Sequence, residues 1–474
     1  MHDLLLSRIL CTNFGPGCGS IVQAMIRTTS TVRRCVAAIA ACLLVAGCGS
    51  SDTSATTDAP DTVVQSNTVG VPDRSVSTVS SAPSSRVGGP VTIAVPADQK
   101  TVQGAIDASV PGDLILISPG TYSEEVIVRT PNIVIRGLDR NTVVFDGKDE
   151  LVNGFQVSAD GVAIENLTVR RYQVNGVVFT KAYDAPDPTQ AEVLHGYRAS
   201  YVTVANNGLY GLYAFYASGG QFDHVYGSGH PDGGIYIGQC KPCNAMVTDA
   251  VMERNGIGYS GTNSSGGLFL VNSTYRHNRI GMTPNSQTME KLSPQGDVVI
   301  AGNLVEDNDD PETPPAASGA FGIGIAVGGG ERNTIVRNRV RGHDTLGIAI
   351  TTLNEFQPSG NRVEDNVLSD NATDLGFYAT AAASLESKQN CFVGNQFSTS
   401  SPASIESVLA CDAQSSIVST DGSAFVRPGP PPFDYRKIPL PSDQDSMPNA
   451  ATAPAQPASA AVPSIDLASI KVPS

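Results

Sequence analysis

The chain has 474 residues, 47 glycines, no tryptophan and a formal net charge of −15. A balance this acidic repels nucleic acid and anionic membrane and so excludes both as direct partners. Neutral or cationic glycans and Ca²⁺ suit it; an anionic ligand would need a local basic patch or a bridging metal.

Arg27, Arg33 and Arg34 precede a short apolar run, 35–45, that ends in Val45-Ala46-Gly47-Cys48. Basic residues, a short apolar stretch and small residues at the cut site make a secretory signal. Met25 reads as the natural start, with 1–24 an over-extended leader and 25–47 the signal. The run is too short to cross a bilayer. Cys48 directly after Ala-Gly resembles the lipobox of bacterial lipoproteins. That resemblance implies lipidation at Cys48 and an exported protein held at the membrane only through its lipid. Processing there removes Arg8, Arg27, Arg33, Arg34 and Asp3, leaving 26 basic against 44 acidic groups, a net −18. Residues 48–90 are rich in Ser, Thr, Asp, Val and Pro and lack periodicity, as a disordered tether does. About forty flexible residues reach roughly 35 Å.

The segment Thr101 to Ser109 has apolar residues at 102, 105 and 106, which predicts a short helix with Thr101 as its N-cap. Strand-like phrases follow at 114–118, 126–128, 133–137 and 143–147. Phrases of the type Asn153-Gly-Phe, Asn175-Gly-Val, Asn207-Gly-Leu and Asp232-Gly-Gly then recur, 22 residues apart for 153 to 175 and 25 for 207 to 232. From residue 272 the repeat becomes explicit. Asn272-Ser-Thr-Tyr-Arg-His-Asn278, Asn303-Leu-Val-Glu-Asp-Asn308, Asn338-Arg-Val-Arg-Gly-His343 and Asn366-Val-Leu-Ser-Asp-Asn371 are followed by a fifth start at Asn395. Successive starts are 31, 35, 28 and 29 residues apart. Between them runs a second phrase, clearest as Phe321-Gly-Ile-Gly-Ile325 and Leu346-Gly-Ile-Ala-Ile350, with every second side chain large and apolar. Two strands per repeat cannot bury themselves alone; stacked as coils they bury one continuous core. Asn is expected at the corners, in the left-handed backbone region, with its amide bonded to the coils above and below. Without helices between them, the strands of neighbouring coils are parallel.

This pattern resembles the right-handed parallel β-helix superfamily of pectate lyases, pectin methylesterases and alginate epimerases. The stretch 101–128 resembles the first coil of its pectin-methylesterase-like members. The resemblance implies an all-β, right-handed parallel β-helix over 91–412 with a capping helix, and a polysaccharide or cell-wall glycan bound along its flank by a monomer. Three inserts, 182–195, 283–296 and 309–319, break the period and are the loops in which function is expected. Residues 413–474 form a Pro/Ala/Ser-rich extended tail, of which 433–441 is expected to lie along the outside of the helix.

Nine of the fourteen tyrosines and four of the six histidines fall between His195 and Asn278. Sugar rings stack on aromatic faces, and in a chain without tryptophan tyrosine is the available platform. Tyr210, Tyr213 and Tyr216 do not share one strand parity, so at least one points outward. Within this window Tyr226-Gly-Ser-Gly-His230-Pro-Asp232-Gly-Gly-Ile-Tyr236 resembles a reordered form of the epimerase motif Tyr-Gly-x-Asp-Pro-His. Here Pro231 stands between His230 and Asp232, in the reverse order. The resemblance implies uronate lyase or C5-epimerase chemistry, with a base for the C5 proton, an acid, and a group that neutralises the carboxylate. His230, Asp232, Tyr236 and Tyr259 are the candidate catalytic residues; Tyr213, Tyr226, Arg254, Arg276 and His277 are the candidate substrate contacts. Arg254 and Arg276, 22 residues apart, are expected to stack one coil above the other. The alternative is a tight turn between coils, structural tyrosines, and a non-enzymatic envelope or adhesion protein. No pectate-lyase Arg-x-Pro-x-x-Arg phrase or paired-Asp phrase of polygalacturonase type is present.

Four cysteines lie beyond the leader. Proximity pairs Cys240 with Cys243 and Cys391 with Cys411, as suits an exported protein; the other reading of Cys240-Lys-Pro-Cys243 is a redox motif or half a zinc site. No cofactor is expected. Ca²⁺ is the one ion that the cluster Asp307, Asn308, Asp309, Asp310 and Glu312 would suit, through oxygen ligands.

Overall fold

The alternating phrases wind into a right-handed coil with three faces, in a computed structural model that describes residues 88–474 except 289–290, 317–318, 379–383, 413–416 and 421–426. Cys48, the signal and the tether up to residue 87 lie outside the described residues. Face one is an eleven-stranded parallel sheet that runs from Val126–Val128 through Asn153–Val157, Asn175–Phe179, Tyr210–Phe215, Gly233–Gly238 and onward to Ser400–Ser401. Faces two and three belong to one larger sheet. They merge because the long strands Val162–Arg170 and Leu194–Ala205 turn a corner within themselves, at Asn166 and Tyr201, both left-handed (φ 56° and 52°).

Inward side chains stack coil on coil. Leu212, Ile235, Tyr259 and Met282 are in register on face one and wholly buried. The first end is closed by helix α1 (Val102–Asp107), whose N-cap Thr101 accepts from the Gly104 amide at 3.0 Å, with Val102, Ala105 and Ile106 facing the core. A second helix, α2 (Ile405–Val408), closes the other end with buried Ile405.

The corners follow a rule that the sequence pattern gives one residue out of place. The left-handed position precedes the buried amide. Gly302, Arg337, Asp365 and Gly394 have φ of 67°, 53°, 52° and 69°, and each is followed by an asparagine. Asn303, Asn338, Asn366 and Asn395 form an internal ladder, each Nδ2 donating to the Oδ1 of the next at 2.9–3.0 Å. The same Oδ1 accepts the backbone amide of the preceding rung, and the second Nδ2 proton of Asn338 goes to the Ile300 carbonyl at 2.9 Å. Glu406 on α2 ends the ladder by accepting from Asn395 at 2.9 Å. A further ladder joins Asn333, Asn361 and Asn390. Asn272 is not a rung. It is the exposed left-handed residue (φ 48°), and Ser273 stands opposite Asn303. Asn207 likewise is not equivalent to Asn175, which pairs with Tyr210.

The tail is a strap rather than a loose end. It crosses the first coils near Asn206, whose Nδ2 donates to the carbonyls of Tyr435 and Ile438 at 2.8 Å, and reaches Asn141, Arg140 and Arg136. It then runs back along face two, past Arg198 and Gly161, to Arg339. Two groups of outward residues on face two are apolar where a solvated face would be polar. Leu114, Val134 and Ala163 are covered by Ala455; Val271, Ala301 and Val336 pack with Ile470.

Replacing an interior rung leaves its neighbours' buried donors unmet. Asn338→Ala should therefore cost about 2–4 kcal/mol of unfolding free energy. Asn272→Gly, which keeps the left-handed corner, should change it by less than about 0.5 kcal/mol. Chemical denaturation of the two variants distinguishes a ladder headed at Ser273 from one headed at Asn272.

Candidate functional site

The residues that the sequence groups together are dispersed by the coil onto three surfaces. His230 and Tyr259 are fully buried. His230 is a rung of the longest ladder, which runs Asn207, His230, Asn255, Asn278, Asn308, His343, Asn371. Asn207 Nδ2 lies 3.1 Å from His230 Nε2, and His230 Nδ1 lies 2.8 Å from Asn255 Oδ1. An amide NH₂ can only donate, and that Asn255 oxygen already accepts the His230 amide at 3.1 Å. The imidazole is thus neutral, with its proton on Nδ1: one nitrogen copies the amide donor and the other the amide acceptor. Burial lowers its pKa to about 4, partly countered by the bond to Asn255. A base with both nitrogens committed inside the coil cannot reach a sugar, so its candidate catalytic role is withdrawn. Tyr259 points inward between Ile235 and Met282, with its hydroxyl 3.4 Å from the Ile237 carbonyl, and burial raises its pKa. It is core, not catalyst.

Tyr226 and Arg276 lie on the outside of face three. Tyr226 Oη donates to Glu253 Oε1 at 2.5 Å, and Arg276 Nε donates to Glu253 Oε2 at 2.7 Å. Glu253 pairs in register with Arg276, so Arg254 stands one coil from His277, not from Arg276. The expected arginine stack is therefore a salt-bridged row. It repeats as Glu306 with Arg341 at 2.6 Å. Arg254 and His277 are left-handed corner residues (φ 56° and 52°), Arg254 exposed and His277 half-buried.

The remaining three, Tyr213, Asp232 and Tyr236, do converge. They lie on the outside of face one, in the Tyr210–Phe215 strand, the turn before Gly233–Gly238, and that strand itself. Leu212 and Ala214 are buried, which turns Tyr213 and Phe215 outward. The Tyr210 and Tyr213 rings stack at 4.8 Å, Tyr213 and Tyr236 at 4.8 Å, and Tyr213 and Phe215 at 5.7 Å with planes 10° apart. Tyr236, at 4% exposure, is the underlayer; Tyr210, Tyr213 and Phe215 are half-buried and form the open side. Tyr210 Oη donates to Asp232 Oδ2 at 3.0 Å. Burial pushes the Asp232 carboxyl up to about 6, against the pull of that hydrogen bond. Of the two not among the candidates, Phe215 shares the outward parity of Tyr213, whereas Tyr210 has the parity of buried Leu212 and Ala214, so alternation in the sequence does not place it in the stack.

The inserts border this patch. Lys291 Nζ in the second insert donates to the Thr189 carbonyl in the first, and the Leu292 amide donates to Gln239 Oε1 at 2.7 Å. Ala316 of the third insert, and Ala320 just beyond that insert, pack over the outward residues Ile257, Ile280 and Ile323. The acidic cluster does not gather. Asn308 is buried as a rung, and Asp309 is pushed up to about 6 by burial and by the charges of Asp344 and Asp307. Among the described residues no three His, Cys, Asp or Glu side chains are arranged to hold a metal. Cys240 is bonded to Cys243 and Cys391 to Cys411.

Three parallel faces with amide ladders inside define a parallel β-helix. The family described as right-handed β-helix region matches residues 153–354 and 291–418, together 266 of the 474 residues, and the chain belongs to that family. No curated protein sequence matches the chain. Among solved structures it is similar to the mannuronan C-5 epimerase A-module of Azotobacter vinelandii (13% identity, 63% of this chain and 91% of that one, TM-score 0.47). It is also similar to the Dettilon tailspike protein (13%, 65% and 68%, 0.41) and to pectate lyase Pel9A (14%, 78% and 91%, 0.35).

The two histidine rungs make stability sensitive to acid. His343 repeats the arrangement, with Nε2 facing Asn308 and Nδ1 facing Asn371, and burial lowers it too to about 4. An unfolded histidine titrates near 6.5, so between about 6.5 and 4 the unfolded chain binds protons that the folded one refuses, and stability falls with pH. The raised carboxyls of Asp232 and Asp309 act in the opposite sense in the lower part of that window, so the histidine effect is read by difference. At pH 5 the double variant His230→Asn, His343→Asn should lack a loss that reaches about 2 kcal/mol per histidine in the parent. Denaturation curves at pH 7 and pH 5 for both proteins check this.

Proposed function

We propose that this is an exported, lipid-anchored β-helix that binds glycan on the aromatic patch of face one. The observation that carries the reading is the outward stack of Tyr210, Tyr213 and Phe215, with the Asp232 carboxyl hydrogen-bonded at one end. Tyr210, Tyr213 and Phe215, stacked on one another at 4.8 and 5.7 Å, present their ring edges as an apolar strip to linked sugars, and the phenols and the carboxyl supply hydrogen bonds to hydroxyls. The insert wall beside it limits the patch to one edge of the coil. Lipidation at Cys48 and the tether of 48–90 would hold the domain on the outer side of the membrane, within reach of cell-wall polymer.

Binding without turnover fits this arrangement better than lyase or epimerase work. His230 is committed to the ladder and Tyr259 to the core, and Glu253 occupies the guanidinium of Arg276. Asp232, still mostly ionised at neutral pH and accepting from Tyr210, has no acid or base beside it among the residues that the sequence proposed, and it serves best as a hydrogen-bond partner.

A glycan array probed with the mature domain tests the reading. Tyr213→Ala should weaken the best-bound glycan by about tenfold or more, equivalent to about 1.4 kcal/mol. Arg254→Ala and His277→Ala, on another surface, should leave affinity unchanged. An array without a hit, or full affinity in Tyr213→Ala, overturns the proposal. Release of unsaturated ends from a uronate polymer would restore the lyase reading.

A further inference from the structure

The tail touches the coil in a way that a layer of the core does not. Among the described residues, the large central cluster of apolar side chains contains nothing beyond Val418. Tail residues enter only the small clusters outside face two, Ile470 against Val271, Ala301 and Val336, and Ala455 against Leu114, Val134 and Ala163. A cavity of about 530 Å³ remains between the last residues and the corner at Ser273 and Leu304. The strap is laid on a body whose core is complete without it.

Beside the amide contacts of Asn206 and Asn141, many of its polar contacts share one chemistry. Arginines from the coil donate to main-chain carbonyls of the tail. Arg136 reaches Ala453 at 2.6 Å and Pro454 at 3.0 Å; Arg140 reaches Asp445 at 3.0 Å; Arg337 reaches Leu467 and Arg339 reaches Pro473, both at 2.7 Å. Arg198 likewise holds the Gln456 carbonyl and Arg279 that of Pro430. Whereas Leu467 opens a short 3-10 turn, the carbonyls of Asp445, Pro454, Gln456 and Pro473 lie where the chain forms no helix, strand or turn. An extended, polyproline II backbone without internal hydrogen bonds leaves its carbonyls open to such reading. Ile438 (φ −65°, ψ 130°) and Ile470 (φ −71°, ψ 133°) have that conformation. Prolines fix it in advance and lower the entropy lost on docking.

We propose that face two is a binding site for an extended, proline-punctuated peptide, and that residues 450–473 of this chain are its ligand in cis. Guanidinium groups read the carbonyls of any such backbone. Two apolar strips set the register, one taking Ala455 and the other Ile470. The same segment of a second copy meets the same site and competes for it.

The mature chain with a protease site built into 421–426 tests this, since cutting it alters neither the body nor the tail. After cleavage the tail should co-elute with the body on size exclusion at micromolar concentration, and circular dichroism should be unchanged. A fluorescent peptide of sequence 427–474 should then replace it, read by anisotropy. Arg337→Ala with Arg339→Ala should speed that replacement by about tenfold or more. Loss of the tail on cutting, with the body folded, overturns the proposal, because face two then has no useful affinity. Unfolding on cutting, or a retained tail that never exchanges, also overturns it, because the tail is then a layer of the fold.

Discussion

A buried amide must have both its donors and its acceptor met, and the fold meets them at the corners of successive coils by stacking amide on amide. Asparagine does this with its own kind. Nδ2 gives one proton to the next rung and one to a main-chain carbonyl of the previous coil, and Oδ1 takes two in return. This fixes the register between coils at the corners, while the inserts on face one vary in length. The spacings along one ladder, 30, 35, 28 and 29 residues, differ, yet the rungs still meet. The loop lengths absorb the difference.

The same constraint explains the histidines. An Nδ1-protonated imidazole presents a donor and an acceptor on opposite sides, as an amide does, and spans slightly more distance. His230 and His343 are therefore admitted as rungs without breaking the chain of bonds. The admission has a chemical cost: a ring so placed is removed from any surface and from any proton transfer. The apparent motif around residue 230 is a corner of the coil. Its glycine, Gly229, takes the left-handed position (φ 76°), and its histidine takes the rung.

The three outer faces then carry different chemistry. Face three has rows of opposite charge in register, such as Glu253 with Arg276 and Glu306 with Arg341. These are partly solvated pairs that contribute modestly to stability. Face two carries two apolar groups and several arginines, and is covered by the chain's own tail. Face one carries the aromatic stack and is bordered by the inserts. A β-helix has no cleft of its own, so which face meets a ligand depends on what covers the others.

Period and parity were legible in the sequence. The repeat of apolar residues at every second position and the recurrence of Asn required stacked parallel coils. The capping helix followed from the spacing of Val102, Ala105 and Ile106, and the outward turn of a tyrosine from the parity of Tyr210 and Tyr213. The register between coils was not legible. Asn272 and Ser273, or Glu253 and Arg254, differ by a single residue, and a shift of one exchanges inside for outside on every strand. Only packing decides that shift, because it alone pairs Ser273 with Asn303 and Glu253 with Arg276. Composition likewise showed the tail to be extended but gave no partner for it. Its carbonyls are bound by arginines about 130 to 320 residues earlier in the chain, such as Arg339 and Arg136, and no local pattern in the sequence records a contact at that range.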